Sequence, residues 1–181
     1  MRVEPSSLSG LPWYLKPFFW RQRRHYGQAL TPALVWARVP PLYGALLAFY
    51  AAIERRRSPL PPLLRSLVQV RISQINHCAF CIDLNASIAA ERAGSLDKAW
   101  AVERWREVPD FDARERLALE YAEAMSQTGC EVDDDLAARL RAQFDEPALI
   151  ELTALIAFQN MSARFNAALD IASQGLCKLP R

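Results

Sequence analysis

Apolar residues recur along most of this chain at intervals of three and four, the period of one helix face. From Leu64 onward, Leu64, Leu67, Val68, Ile72 and Ile75 keep that spacing. The same stretch also alternates: Val68, Val70 and Ile72 are interleaved with Gln69, Arg71 and Ser73, which is a strand pattern. Cys81, Leu84, Asn85 and Ile88 then share one face at i, i+3, i+4 and i+7. Gly94 reads as the stop of that helix and Ser95 as the cap of the next. Beyond Pro109, Asp112 and Glu115 have the form of a capping box, followed by the face Leu117, Tyr121, Ala124 and Met125, with Gly129 as the expected end. A short helix with an acidic start is predicted over 133–144, and a long last one over 147–172. Upstream, Thr31 and Pro32 fit a cap followed by proline at the first helical position. A helix is predicted over 40–57, closed by Pro59, Pro61 and Pro62. No other stretch reads as a strand, Gly-rich loops are lacking, and no internal repeat is present. The whole-chain pattern therefore decides the local ambiguity: an all-α fold, with 64–75 helical.

The first thirty residues break this pattern and read as an arm, 1–30, before a helical domain, 31–181. Pro5, Pro12 and Pro17 interrupt it, and Trp13, Tyr14, Phe18, Phe19 and Trp20 make it more aromatic than a solvated tail. The expected form is an amphipathic helix docked on the domain or on a neighbouring subunit. A membrane-surface helix is the alternative, but the basic cluster Arg21, Arg23, Arg24 and His25 is short for one. With the apolar stretch 42–53, the arm offers more apolar surface than one small domain easily covers, so a homo-oligomer is expected.

Composition narrows the function classes. The 181 residues suit one domain with a real core. A net charge of +2 calls for neither nucleic acid nor an anionic membrane as partner. Residues 1–10 lack the basic start and apolar run of a signal peptide, and the longest apolar stretch, 40–53, is too short to span a bilayer. A cytoplasmic protein is the expectation. Four cysteines in such a chain argue against a disulfide scaffold, whereas a close pair is redox-active or metal-binding.

That pair lies in His77-Cys78-Ala79-Phe80-Cys81. The spacing lets two thiols meet when a helix begins between them, and backbone N–H groups at the helix start stabilise a thiolate. The thiolate attacks a disulfide or peroxide, and the second cysteine resolves the product. Zinc would need four ligands, and one CxxC with two histidines in the whole chain supplies them only by long-range folding. Covalent haem needs histidine directly after the second cysteine, where Ile82 stands. A thioredoxin-like fold lacks its other strands here. Two small buried residues without chemistry are the remaining alternative. Neither a metal nor a bound cofactor is expected.

The stretch 64–94 resembles the core of the carboxymuconolactone decarboxylase family, in its alkylhydroperoxidase D-like branch. The likeness rests on Arg71, Ser73 and Asn76, the CxxC, and Gly94 closing the helix. The stretches 115–124 and 151–166 are similar to the family as well. The resemblance implies an oligomeric all-α fold, an alkylhydroperoxidase D-like helical domain behind the arm. It also implies a catalytic pair, Cys78 and Cys81, that reduces a hydroperoxide or a partner protein's disulfide with electrons from a thiol donor. In the family's peroxidases a glutamate and a histidine move protons beside the pair. Their positions fall on Ser66 and Asn85, neither of which titrates near neutral pH. Slow peroxide turnover is the consequence. Asn85 is expected to hydrogen-bond a thiolate one turn away, and His77 reads as a helix-end residue hydrogen-bonded to backbone, with a neighbouring base as its alternative role. Gln159, Asn160, Arg164 and Asn166 interrupt an apolar helix and read as a solvated or interface face, or as substrate-orienting groups. Two other functions fit the same fold: a non-redox lactone-processing or decarboxylating enzyme, and a binding or assembly protein that lost its activity.

Overall fold

The computed structural model describes residues 1–177, and among these every regular element is helical. One 3-10 turn, Trp13–Leu15, leads into α1 (Lys16–Tyr26), followed by α2 (Thr31–Trp36) and α3 (Pro40–Ile53). The central pair is α4 (Pro62–Ile75) and α5 (Ala79–Ala93). After α6 (Leu96–Ala101) and the turn Val102–Arg104 come α7 (Ala113–Ser126), α8 (Asp134–Gln143) and α9 (Glu146–Ala168).

The hub is α4, which packs on α5, α7 and α9. Leu67, Val68, Val70 and Ile72 are all fully buried, although they point to different sides of the helix. Two apolar clusters meet on it. One joins α4 to α7, α8 and α9 through Val68, Leu117, Leu140 and Leu152, and the other joins it to α5 and α6 through Leu67, Ala86 and Ala99. A helix buried all round loses its polar stripe. That is why α4 alternates like a strand, and why its polar residues Arg65, Ser66, Gln69 and Ser73 are buried too.

A third cluster seats the arm. Leu11, Leu15, Phe19 and Leu30 pack with Val35, Tyr43 and both cysteines of the pair. Phe18 meets the Tyr43 ring edge-on at 5.8 Å and Phe19 stacks on it at 6.0 Å. The amphipathic docking expected of the arm is thus made on this chain's own α3, while Trp13 and Trp20 face outward.

Helix ends follow local chemistry. Asp112 and Glu115 close a full capping box, and Ser95 caps α6 through the Asp97 N–H. Thr31 differs from the expectation: it is the first helical residue, its N–H donates to Gln174 Oε1, and no side chain caps α2. The helix expected over 40–57 stops at Ile53, where the Glu54 carboxylate turns aside to pair with Arg92. α7 ends at Ser126, and Gly129 serves the turn beyond it with φ +84°. α9 ends at Ala168 because Asp170 adopts φ +54° and the Ile171 N–H returns to Asn166 O, a left-handed helix stop. Beyond it, Asp83 of α5 anchors the descending chain by accepting from Ser173 Oγ and the N–H groups of Gln174, Leu176 and Cys177. Burial works to raise the Asp83 pKa, but these hydrogen bonds outweigh it and hold the carboxyl below its ordinary range. No helix among the described residues is long and apolar enough to cross a membrane.

Candidate active site

The junction of α4 and α5 is built to present the cysteine pair. Asn76 ends α4, His77 takes the left-handed φ of +50°, and the Cys78 N–H closes back onto Ser73 O at 3.1 Å. This reversal makes Cys78 the N-cap of α5, its Sγ accepting the Cys81 N–H at 3.2 Å. The two cysteines are joined as a disulfide with Cα atoms 5.2 Å apart. Both are buried. A thiolate at Cys78 would face the positive end of α5. The Cys81 sulfur has another donor, Asn166 Nδ2 of α9, at 3.3 Å.

A buried polar knot lies behind the pair. Ser73 Oγ accepts from Asn85 Nδ2 and Gln159 Nε2, each at 3.0 Å, and donates to Gln69 O at 2.6 Å. This network fixes the mutual placement of α4, α5 and α9 where the sulfurs sit. A separate set lies further out, with Asn76 donating to Asn160 Oδ1 and accepting from Arg164 Nε. Of the residues that break the apolar pattern of α9, Gln159 and Asn166 are buried and line the site, whereas Arg164 is exposed, as a solvated face requires.

A cavity of about 420 Å³ opens over Cys81, while Cys78 lies off its wall. All of α1 to α5 and α9 contribute to it, and the arm supplies one side through Phe18, Gln22 and Tyr26. Most of the lining is apolar or aromatic. Gln69, Asn85, Gln159 and Asn166 give a polar strip beside the sulfur. Burial pushes the Tyr43 phenol above its ordinary pKa, so it stays protonated across the neutral range as a hydrogen-bond donor.

The other expected site residues separate. Asn85 reaches the cavity, but its amide is committed to Ser73, and the contact expected from it to sulfur is made by Asn166. Ser66 is fully buried in α4 and away from the cavity wall, accepting from Arg92 Nη1 at 2.7 Å. Arg92 also pairs with Glu54 at 2.7 Å, so a carboxylate from the end of α3 stands near the position that carries glutamate in the family's peroxidases. His77 is exposed, and its N–H donates to Gln74 O. Tyr43 was invisible to the sequence reading, because a single tyrosine in an apolar helix carries no spacing signal.

Residues 40–124 match the carboxymuconolactone decarboxylase family. The chain is 53% identical over 173 residues to the uncharacterised protein YnjA of Escherichia coli K12, covering 96% of this chain and 95% of that one. Among solved structures it is similar to a peroxidase-related protein with an alkylhydroperoxidase AhpD core from Ralstonia eutropha JMP134. The TM-score is 0.85 at 19% identity, over 97% of this chain and 94% of that chain. It is equally similar in fold to the debrominase Bmp8, determined as a variant with 2,3,4-tribromopyrrole, with TM-score 0.85 at 24% identity over 98% and 94% of the two chains.

Proposed function

This chain belongs to the carboxymuconolactone decarboxylase family, and from that premise we propose that it is a thiol–disulfide oxidoreductase that reduces an organic hydroperoxide or a partner disulfide. The observation that carries the reading is the pair itself: two cysteines close at the start of a buried helix, with one of them on the wall of a cavity. In the reduced protein the Cys81 thiolate attacks the terminal peroxide oxygen, the O–O bond breaks, and alcohol leaves with a proton. The resulting sulfenic acid condenses with the Cys78 thiol, releasing water and forming the disulfide. A dithiol donor returns two electrons and two protons. Asn166 holds the Cys81 sulfur. It does not replace the titrating glutamate and histidine whose positions Ser66 and Asn85 occupy, so turnover should be slow; such groups typically contribute about a hundredfold to ten-thousandfold.

The test is steady-state consumption of cumene hydroperoxide with dithiothreitol as donor. One alcohol should form for each dithiol oxidised. Consumption no faster than in buffer with dithiothreitol alone would sink the reading. A second reading, reductive dehalogenation of an arene, is favoured by the debrominase likeness and the aromatic cavity. In it the pair is oxidised to the disulfide while halide leaves and hydrogen takes its place. Halide release from a bromoarene, without peroxide consumption, would select it.

We also propose that the working form is a homo-oligomer in a reducing cytoplasm. Leu42 and Phe49 on α3 are 53% and 44% exposed, and Trp13 and Trp20 on the arm are 81% and 64% exposed. Apolar surface of this kind is normally covered by a partner. Light scattering at micromolar concentration should give a multiple of 20.5 kDa, and the monomer mass would contradict this.

A further inference from the structure

Two cations of the arm are turned onto the Cys81 cavity. Phe18, Arg21, Gln22, His25 and Tyr26 fall at helical spacing along one face of α1, and all five line it. Trp20, Arg23, Arg24 and Gly27 border a separate surface depression. Arg21 and His25 are exposed while lining the cavity, so they stand at its mouth. The His25 ring meets Tyr26 edge-on at 4.4 Å, which steadies it there. Neither side chain makes an ion pair among the described residues. No residue lining the cavity is acidic. Glu91 and Glu54 act on the Tyr26 and Tyr50 phenols from off the wall, and Arg92 acts on both in the opposite sense. A cation on a partly enclosed apolar wall gives up hydration, and here it gains no counter-charge from the protein. The polar strip beside the sulfur differs in kind. Gln69, Asn85, Gln159 and Asn166 come from α4, α5 and α9, and all are neutral amides. Much of the remaining wall is aromatic, with Trp36 held against Phe165 at 3.9 Å and Phe158 stacked on Phe49 at 5.0 Å. The cavity is therefore cationic on the arm's side and uncharged beside Cys81.

We propose that this cavity binds a small organic carboxylate, its anionic end held at the mouth by Arg21 and His25 and its apolar body laid inside against Trp36 and Phe158. That orientation leaves the uncharged end of the ligand for Cys81. The cavity, at about 420 Å³, is of the size that small organic ligands fill. The site deepens the redox reading by giving its substrate an anionic handle on the arm's side, but binding requires no redox step.

The disulfide form of the protein is titrated in low-salt buffer with 4-isopropylbenzoate and with the neutral 4-isopropylbenzamide, followed by ligand-observed NMR. The carboxylate should bind about tenfold more tightly than the amide, the worth of two ion pairs at a solvated rim. In Arg21→Gln combined with His25→Gln the two affinities should converge to within about twofold, while the amide keeps its wild-type affinity and the melting temperature is unchanged. Arg23→Gln combined with Arg24→Gln removes charge from the other face of α1 and should keep the preference. Equal affinities in the wild type, no binding of the carboxylate, or a preference that survives without Arg21 and His25 would overturn the proposal. Loss of the preference in the Arg23 and Arg24 variant would do so too, because the attraction would then belong to the whole basic arm. An Arg21 and His25 variant that melts lower would show that these side chains serve the fold, and would likewise count against the site. Binding without peroxide turnover would defeat the redox reading and leave this site standing; turnover without binding would do the reverse.

Discussion

Cys81→Ser is expected to lose hydroperoxide turnover by at least roughly a thousandfold, as enzymes do when the nucleophile of an aligned set is removed. Cys78→Ser should instead still reduce one hydroperoxide per molecule and, without a thiol donor, stop at the sulfenic acid. The asymmetry comes from access. Both sulfurs have a stabilising donor, Cys78 from the Cys81 N–H and Cys81 from Asn166 Nδ2. Only Cys81 lines the cavity, so a peroxide there meets that sulfur first. With serine at position 78 the Cys81 sulfenic acid has no neighbouring thiol to condense with. It should accumulate and be trapped by a cyclic 1,3-diketone, as read by peptide mass spectrometry. Trapping at Cys78 in the Cys81→Ser protein would reverse the order of attack.

The largest effect on stability is expected at Glu123. Its carboxylate accepts from Arg71 Nε at 2.6 Å and Trp105 Nε1 at 3.0 Å, and pairs with Arg106 at 2.7 Å. Through it α7 is tied to α4 and to the turn after α6. Glu123→Ala would leave the mostly buried Arg71 guanidinium and the Trp105 N–H without this acceptor. Breaking a buried pair from one side costs about 3–5 kcal/mol. For a chain of this length that is a fall in melting temperature on the order of 10 °C. Burial works to raise the Glu123 pKa, but Trp105, Arg106 and Arg71 outweigh it and hold the carboxyl below its ordinary range. A carboxyl lowered on folding contributes stability above its unfolded value of about 4.3, and that contribution is lost as pH falls through the lower folded value. Glu123→Gln should therefore melt lower than wild type near neutral pH, with the gap narrowing below about pH 4. A gap that is constant with pH would show that the charge is not what Glu123 contributes.

Much of the fold was legible because its signals are local. The capping box at Asp112, the Ser95 cap and Gly94 each act within one turn, and each stands where its sequence places it. The cysteine pair was legible for the same reason, since i to i+3 spacing at a helix start is a local geometry. What was not legible depends on contacts between distant segments. The alternation in α4 is the mark of a helix enclosed on all sides, which only its neighbours reveal. The donor to the Cys81 sulfur was sought at Asn85, one turn away. It comes from Asn166, 85 positions along the chain, because Ser73 draws Asn85 into the knot behind the pair. Ser66 was placed beside the pair by counting back along the chain, whereas the fold gives it to Arg92. Helix ends at Ile53 and Ala168 moved inward because a carboxylate and a left-handed residue, not the last apolar position, set the stop.

The central claim is that Cys78 and Cys81 cycle between dithiol and disulfide. Peptide mapping of the protein after mild peroxide treatment, with and without later dithiothreitol, tests it most directly. The tryptic segment 72–92 holds both cysteines. It should be lighter by two hydrogen atoms after oxidation and regain them on reduction, while Cys130 and Cys177 remain alkylatable throughout. Two free thiols in that segment under excess oxidant, or stoichiometric zinc bound to them, would contradict the account.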